Sequence, residues 1–191
     1  YETGLPVHTA WDLGIGDSTA IWFTQSVGRE IRVIDYYEAS GEGLAHYAKK
    51  LQTLPYVYSK HWAPHDIEVR ELGSGRSRKE TASNLGIQFQ VVPNLPIEDG
   101  IEAARSLLSR CWFDRVKCER GLNALGSYHK AYDDKLRDWK SQPNHDWSSH
   151  AADAFRYLAV GHKTTSAKPK SPLIEIMTYE PESQAVSWLG T

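Results

Sequence analysis

Hydrophobic and polar positions change their period along the 191-residue chain, and the changes mark its elements. Alternating apolar residues predict strands over 7–13, 19–27 and 30–38. The first connection is Gly14-Ile15-Gly16-Asp17 and the second is Gly28-Arg29. Two tight connections in succession predict an antiparallel three-stranded meander. The period then becomes helical over 43–54, where Leu44, Tyr47, Ala48 and Leu51 recur at helical spacing. A fourth strand is expected over 57–63, ending at Pro64-His65-Asp66. A basic loop follows over 70–79, a helix over 78–85, and a fifth strand over 87–92. Helices are predicted over 97–111, 119–132 and about 148–162.

This order predicts an α/β domain on a mixed sheet of five strands or more, with the first three strands antiparallel and helices flanking the sheet. Strand order 3-2-1-4-5 makes the first and fourth strands neighbours. Residues 164–191 begin with a Lys- and Pro-containing stretch and carry no strong pattern. They are read as a linker and tail to a domain spanning 1–163. The start at Tyr1, without Met, suggests a piece of a longer chain.

Composition narrows the class. Hydrophobic residues make up 40% and charged residues 24%, as in globular proteins. Two cysteines are too few for a disulfide framework. No apolar run is long enough to span a membrane, so no membrane partner is expected. Formal net charge is -2, so any nucleic-acid contact must rest on a local basic patch. The densest such patch is Arg70, Arg76, Arg78 and Lys79, which is read either as a DNA phosphate clamp or as a solvated loop. Trp11, Trp62, Trp112, Trp139 and Trp147 are read mostly as core or groove walls rather than base-stacking platforms.

Three aspartates stand in positions that disfavour Asp. Asp12 ends the first strand, Asp66 follows the fourth, and Asp153 lies inside the last helix. Small Ala151, Ala152 and Ala154 let that helix approach the sheet closely. Three converging carboxylates repel one another unless cations lie between them, and hard oxygen donors suit Mg²⁺ or Mn²⁺. Two such ions are a known device for phosphodiester hydrolysis. Each Asp taken alone reads as a turn residue, or in the helix as a solvated one. Asp17, Asp146 and His150 are further candidate ligands. Asp17 also reads as a turn residue, Asp146 as a helix cap, and His150 as a hydrogen-bonded structural residue. His65 is read as structural.

Three stretches resemble the acidic motifs of phage terminase large-subunit nuclease domains. They are Trp-Asp12-Leu-Gly-Ile-Gly-Asp-Ser-Thr, then Ala-Pro64-His65-Asp66 with Gly73-Ser-Gly-Arg-Ser77-Arg, and Asp146-Trp-Ser-Ser-His150-Ala-Ala-Asp153-Ala-Phe-Arg-Tyr157. The resemblance covers about 1–163 and implies a ribonuclease H-like fold. It also implies a two-metal endonuclease that cuts concatemeric viral double-stranded DNA during genome packaging, with Asp12, Asp66 and Asp153 as ligands. Asp12 is then expected to bridge both ions, with Asp66 on one and Asp153 on the other. No phosphate-binding Gly-x-x-x-x-Gly-Lys-Ser/Thr stretch is present, so the ATPase motor domain of that family is expected elsewhere in a longer chain. The family further implies a portal and a small terminase subunit as partners, and a site of action at the procapsid in the host cytoplasm. A junction resolvase, a ribonuclease, or a non-catalytic module that docks the motor remain alternatives.

Overall fold

A computed structural model of the chain describes residues 1–14 and 17–166. The expected tail therefore lies, from residue 167 onward, outside the described residues, as do Ile15 and Gly16 of the first turn. The strands are β1 (Val7–Asp12), β2 (Ser18–Val27), β3 (Glu30–Ser40), β4 (Tyr58–Ala63), β5 (Phe89–Val91), β6 (Cys111–Phe113), β7 (Lys130–Asp133) and β8 (Asp138–Pro143). The helices are α1 (Leu44–Thr53), α2 (Arg78–Asn84), α3 (Ile97–Leu108), α4 (Glu119–Ser127) and α5 (Ser149–Ser166). A 3-10 turn at His65–Glu68 follows β4.

Six strands form one sheet in the order β5-β4-β1-β2-β3-β6, and β7-β8 is a separate hairpin. The meander β1-β2-β3 is antiparallel and β4 lies beside β1, as the sequence predicts; β4 and β1 run parallel. Two features depart from the expectation. The predicted helix over 97–111 ends at Leu108, and Cys111–Phe113 turns back as β6, parallel to β3. The predicted helix over 119–132 ends at Ser127, and the hairpin follows it. Asp133 caps the hairpin turn by accepting from the backbone of Lys135 and Leu136, and Tyr132 packs across the hairpin on Trp139 at 5.1 Å.

The pleat sends successive residues of β1 to opposite faces. Val7 and Trp11 join a core with Tyr47, Leu51 and Ala82 of α1 and α2. Ala10 joins the other core, which holds Trp22, Trp62, Ala151, Ala154, Phe155 and Leu158. Asp12, two residues beyond Ala10, therefore emerges on the face that α5 covers.

Small residues bring α5 onto this face. At Gly161 a Cβ would stand 2.5 Å from Trp62 Cγ, so only glycine fits at this crossing. Near the other end, the Trp22 indole donates to the Ala151 carbonyl at 2.8 Å. Both contacts fix how far along the sheet the helix sits. Trp11 and Trp62 are buried, as expected. Trp147, 44% exposed, lines a groove with Asp17 and His150, as a groove wall would, whereas Trp112 and Trp139 are exposed by 63% and 60%.

Gly161→Ala tests this packing. In a free helix interior the change is stabilising by about 1 kcal/mol. Here overpacking should outweigh that gain at roughly 1–3 kcal/mol. The thermal midpoint read by circular dichroism should fall by several degrees, and Trp62→Leu in the same chain should recover part of the loss. A rise in the midpoint would show that α5 does not press on Trp62.

His8 and His61 set a pH limb. Burial, before any neighbouring charge, lowers both from 6.5 to about 4. Between those values the unfolded chain binds the protons and the folded chain does not, so stability falls as pH drops from about 6.5 toward about 4. Replacing either His with Gln should lower the slope of stability against pH in this window, by up to about 1.4 kcal/mol per pH unit. Denaturant titrations across the window read that slope directly.

Candidate metal centre

The three aspartates come from three elements that the sheet order places at one edge. Asp12 is the last residue of β1. Asp66 sits in the 3-10 turn after β4, the parallel neighbour of β1. Asp153 lies in the second turn of α5, which packs across β1, β2 and β4. Their charges act on common neighbours. Burial raises the Tyr157 hydroxyl far above its ordinary value, and Asp12, Asp153 and Asp66 all push it further up.

Each carboxylate is held differently. Asp12 is largely buried, and burial raises its pKa; the His150 hydrogen bond opposes this and the Asp153 charge adds to it. Asp153 receives Arg156 Nε at 3.1 Å and Nη2 at 2.8 Å on a single oxygen, Oδ1. Gly100 of α3 makes room for that guanidinium, since a Cβ there would stand 3.2 Å from Arg156 Nη1. Asp66 receives Arg78 Nη2 at 3.2 Å on Oδ2, while its Oδ1 is buried without a hydrogen-bond partner. A buried carboxylate oxygen with no donor is costly, and a cation is the natural partner for it.

The remaining candidates divide. His150 bridges two carboxylates, with Nδ1 at 3.0 Å from Asp12 Oδ2 and Nε2 at 3.1 Å from Asp17 Oδ2. The hydrogen bond to Asp12 is the main reason its pKa is raised. Asp146 accepts from the Ser148 amide at 2.8 Å, the Ser148 hydroxyl at 2.6 Å and Asn144 at 3.0 Å, and these bonds lower its pKa. Both of its oxygens thus serve to shape the loop that leads into α5. His65, beside Asp66, is exposed.

The basic cluster also divides. Arg78 and Lys79 are the first residues of α2, whose start is set by a capping box between Ser77 and Glu80. Arg78 turns inward, giving Nη1 to the Leu13 carbonyl at 2.9 Å and Nη2 to Asp66. It ties the end of β1 to the second aspartate. Lys79 pairs with Glu68 at 2.6 Å. Arg70 and Arg76 remain exposed on a tight loop closed by the Arg70–Ser77 bridge.

Several residues at this edge are not among those that the sequence pattern points to. Arg156 has a legible signal, standing three residues after Asp153 on the same helix flank. Glu38 sits in the same cross-strand row as Asp12, through Ala20, and receives the Tyr36 hydroxyl at 2.7 Å. His145 has no signal, because only the loop before α5 brings its Nε2 to 3.4 Å from Asp17.

No protein-family model matches the chain, and no curated protein matches it in sequence. Solved structures do match. The nuclease domain of the phage P22 large terminase superposes with a TM-score of 0.61 at 18% identity, over 85% of this chain and 84% of that one. The large terminase nuclease domain of bacteriophage SPP1 with bound manganese gives 0.57 at 16% identity, over 83% and 86%. The large terminase of a thermophilic bacteriophage gives 0.61 at 14% identity, but this chain spans only 40% of it. The chain has the ribonuclease H-like fold of large terminase nuclease domains.

Proposed function

We propose that the chain is a divalent-metal-dependent DNA endonuclease domain of a phage terminase large subunit, cutting concatemeric double-stranded DNA during genome packaging. The observation that carries this reading is the common edge shared by Asp12, Asp66 and Asp153, at which one buried Asp66 oxygen has no donor. The donor set fits hard divalent ions such as Mg²⁺ or Mn²⁺. The manganese in the SPP1 nuclease domain, and the cobalt in that of phage G20c, support a divalent ion on this fold.

Asp12, Asp66 and Asp153 would hold the divalent ions. When bound, such ions supply Lewis acidity toward a phosphodiester and lower the pKa of a coordinated water. The chain's own residues do the positioning. Arg156 holds Asp153 through one oxygen, Oδ1. Arg78 holds Asp66 against the end of β1. His150 orients Asp12. Arg70 and Arg76, exposed on the loop that follows Asp66, are the side chains suited to DNA phosphates.

The same reading places an ATPase motor domain in the remainder of a longer chain, with portal and small terminase subunit as partners at the procapsid in the host cytoplasm. The domain would span 1–163, with 164–191 as a C-terminal linker and tail. Among the described residues no helix is long and apolar enough to cross a membrane.

Cleavage of supercoiled plasmid tests the proposal. Nicking and linearisation should require Mg²⁺ or Mn²⁺, stop with EDTA, and fall more than about 100-fold in Asp153→Asn and Asp12→Asn. A folded protein that leaves duplex, branched and hybrid substrates intact with either ion would overturn it. Preference for branched DNA or hybrid would move it to a resolvase or ribonuclease.

Reversing charge at Arg70 and Arg76 together should weaken duplex binding equally across sequences. It should also reduce the slope of log affinity against log salt by about 0.9 for each phosphate that is no longer neutralised. Fluorescence anisotropy over a salt series reads both, and an unchanged slope would remove these arginines from the DNA surface.

A further inference from the structure

A tryptophan and an arginine are stacked together in the groove that adjoins the aspartate edge. The groove encloses about 430 Å³, within the range of about 300–1,000 Å³ at which ligand groups are held. Its walls include Asp17, Glu38, His150, Trp147 and Arg120, and His150 in turn hydrogen-bonds Asp12.

Trp147 is a fixed platform. It lies two residues before α5, inside a turn that Asp146 closes from one side. The Asp146 carboxylate accepts from the Ser148 amide at 2.8 Å and the Ser148 hydroxyl at 2.6 Å, and the Asp146 carbonyl accepts from the Ser149 amide at 3.0 Å. The Arg120 guanidinium, from the first turn of α4, lies 4.6 Å from the centroid of the Trp147 ring. Among the described residues no other tryptophan has a cation stacked on it.

Arg120 has donors to spare. It gives one long hydrogen bond, to Glu38 at 3.5 Å, while the other Glu38 oxygen takes the Tyr36 hydroxyl. A guanidinium carries five N–H donors, and the Arg120 side chain is 57% exposed. No other Lys or Arg lines the groove, whereas Asp17, Glu38 and Asp146 make its walls acidic. A phosphate entering here is repelled by those carboxylates unless it meets Arg120.

We propose that Trp147 and Arg120 grip one unpaired nucleotide of the DNA strand beside the aspartates, the indole stacking on its base and the guanidinium donating to its phosphate. In an intact duplex both faces of a base are covered by neighbouring bases, so an indole gains a base only where the strand is open. The pair therefore gives the domain a preference for duplex that is locally melted. The choice of DNA as ligand rests on the nuclease reading above.

Fluorescence anisotropy tests it, with Ca²⁺ in place of Mg²⁺ or Mn²⁺ and two labelled duplexes of equal length. One is fully paired and the other has a short unpaired bubble at its centre. The wild type should bind the bubble at least about fivefold more tightly, the lower end of the effect of one base stack. Trp147→Ala should bring the two affinities together, and Trp147→Phe, which keeps an aromatic face, should retain most of the difference. Arg120→Gln should reduce the slope of log affinity against log salt on the bubble by about 0.7–0.9, the share of one phosphate. Tryptophan emission gives a second readout. Bubble DNA should quench it, Trp147→Phe should remove most of that quenching, and Trp112→Phe and Trp139→Phe should keep it. Equal affinities in the wild type, a preference that survives Trp147→Ala, or quenching that survives Trp147→Phe would each overturn the proposal. Plasmid cleavage is read separately: its absence with the bubble preference intact removes the nuclease reading alone, and cleavage without the preference removes this proposal alone.

Discussion

The candidate site depends on how closely α5 lies on the sheet. The helix supplies His150, Asp153, Arg156 and Tyr157, yet none of these reaches β1 unless the backbone comes near. Gly161 over Trp62, the run of alanines, and the Trp22 indole on the Ala151 carbonyl provide that approach. A bulkier stripe would lift the helix and draw the carboxylate of Asp153 away from Asp12. The apolar core is thus also the device that sets distances among charges.

Those charges are balanced locally. Arg156 offsets Asp153, Arg78 offsets Asp66, and His150 lies between Asp12 and Asp17. The compensation is partial, since burial still raises Asp12 and one oxygen of Asp66 has no donor. The guanidiniums occupy single oxygens rather than both, which holds each carboxylate in place and leaves it able to bind.

Much of this architecture is legible in the sequence. The meander follows from alternation broken by Gly14 and Gly28, the order of the first five strands from the change of period, and the close helix from Ala151, Ala152 and Ala154. Asp12, Asp66 and Asp153 are visible because Asp is out of place in each setting. The short pieces are hidden. Cys111–Phe113 is three residues long, too few to show a period, and is a strand only because Ile31, Arg32 and Val33 pair with it. Lys130–Asp133 continues a helical pattern, and the Asp133 turn with the Tyr132–Trp139 contact decides otherwise. The inward turn of Arg78 depends on tertiary position, and so does the meeting of His145 with Asp17. No local pattern encodes either.

The bonds that complete the site join the two ends of the domain. Trp22 meets Ala151 across 129 residues, and Asp12 meets His150 across 138. Contacts of such sequence separation carry the largest loop-closure cost. On the ribosome, β1 through β4 emerge and can pair long before α5 has been made. A nascent or truncated chain therefore holds two of the three aspartates without the third, and the full constellation arises only when synthesis of the domain is finished.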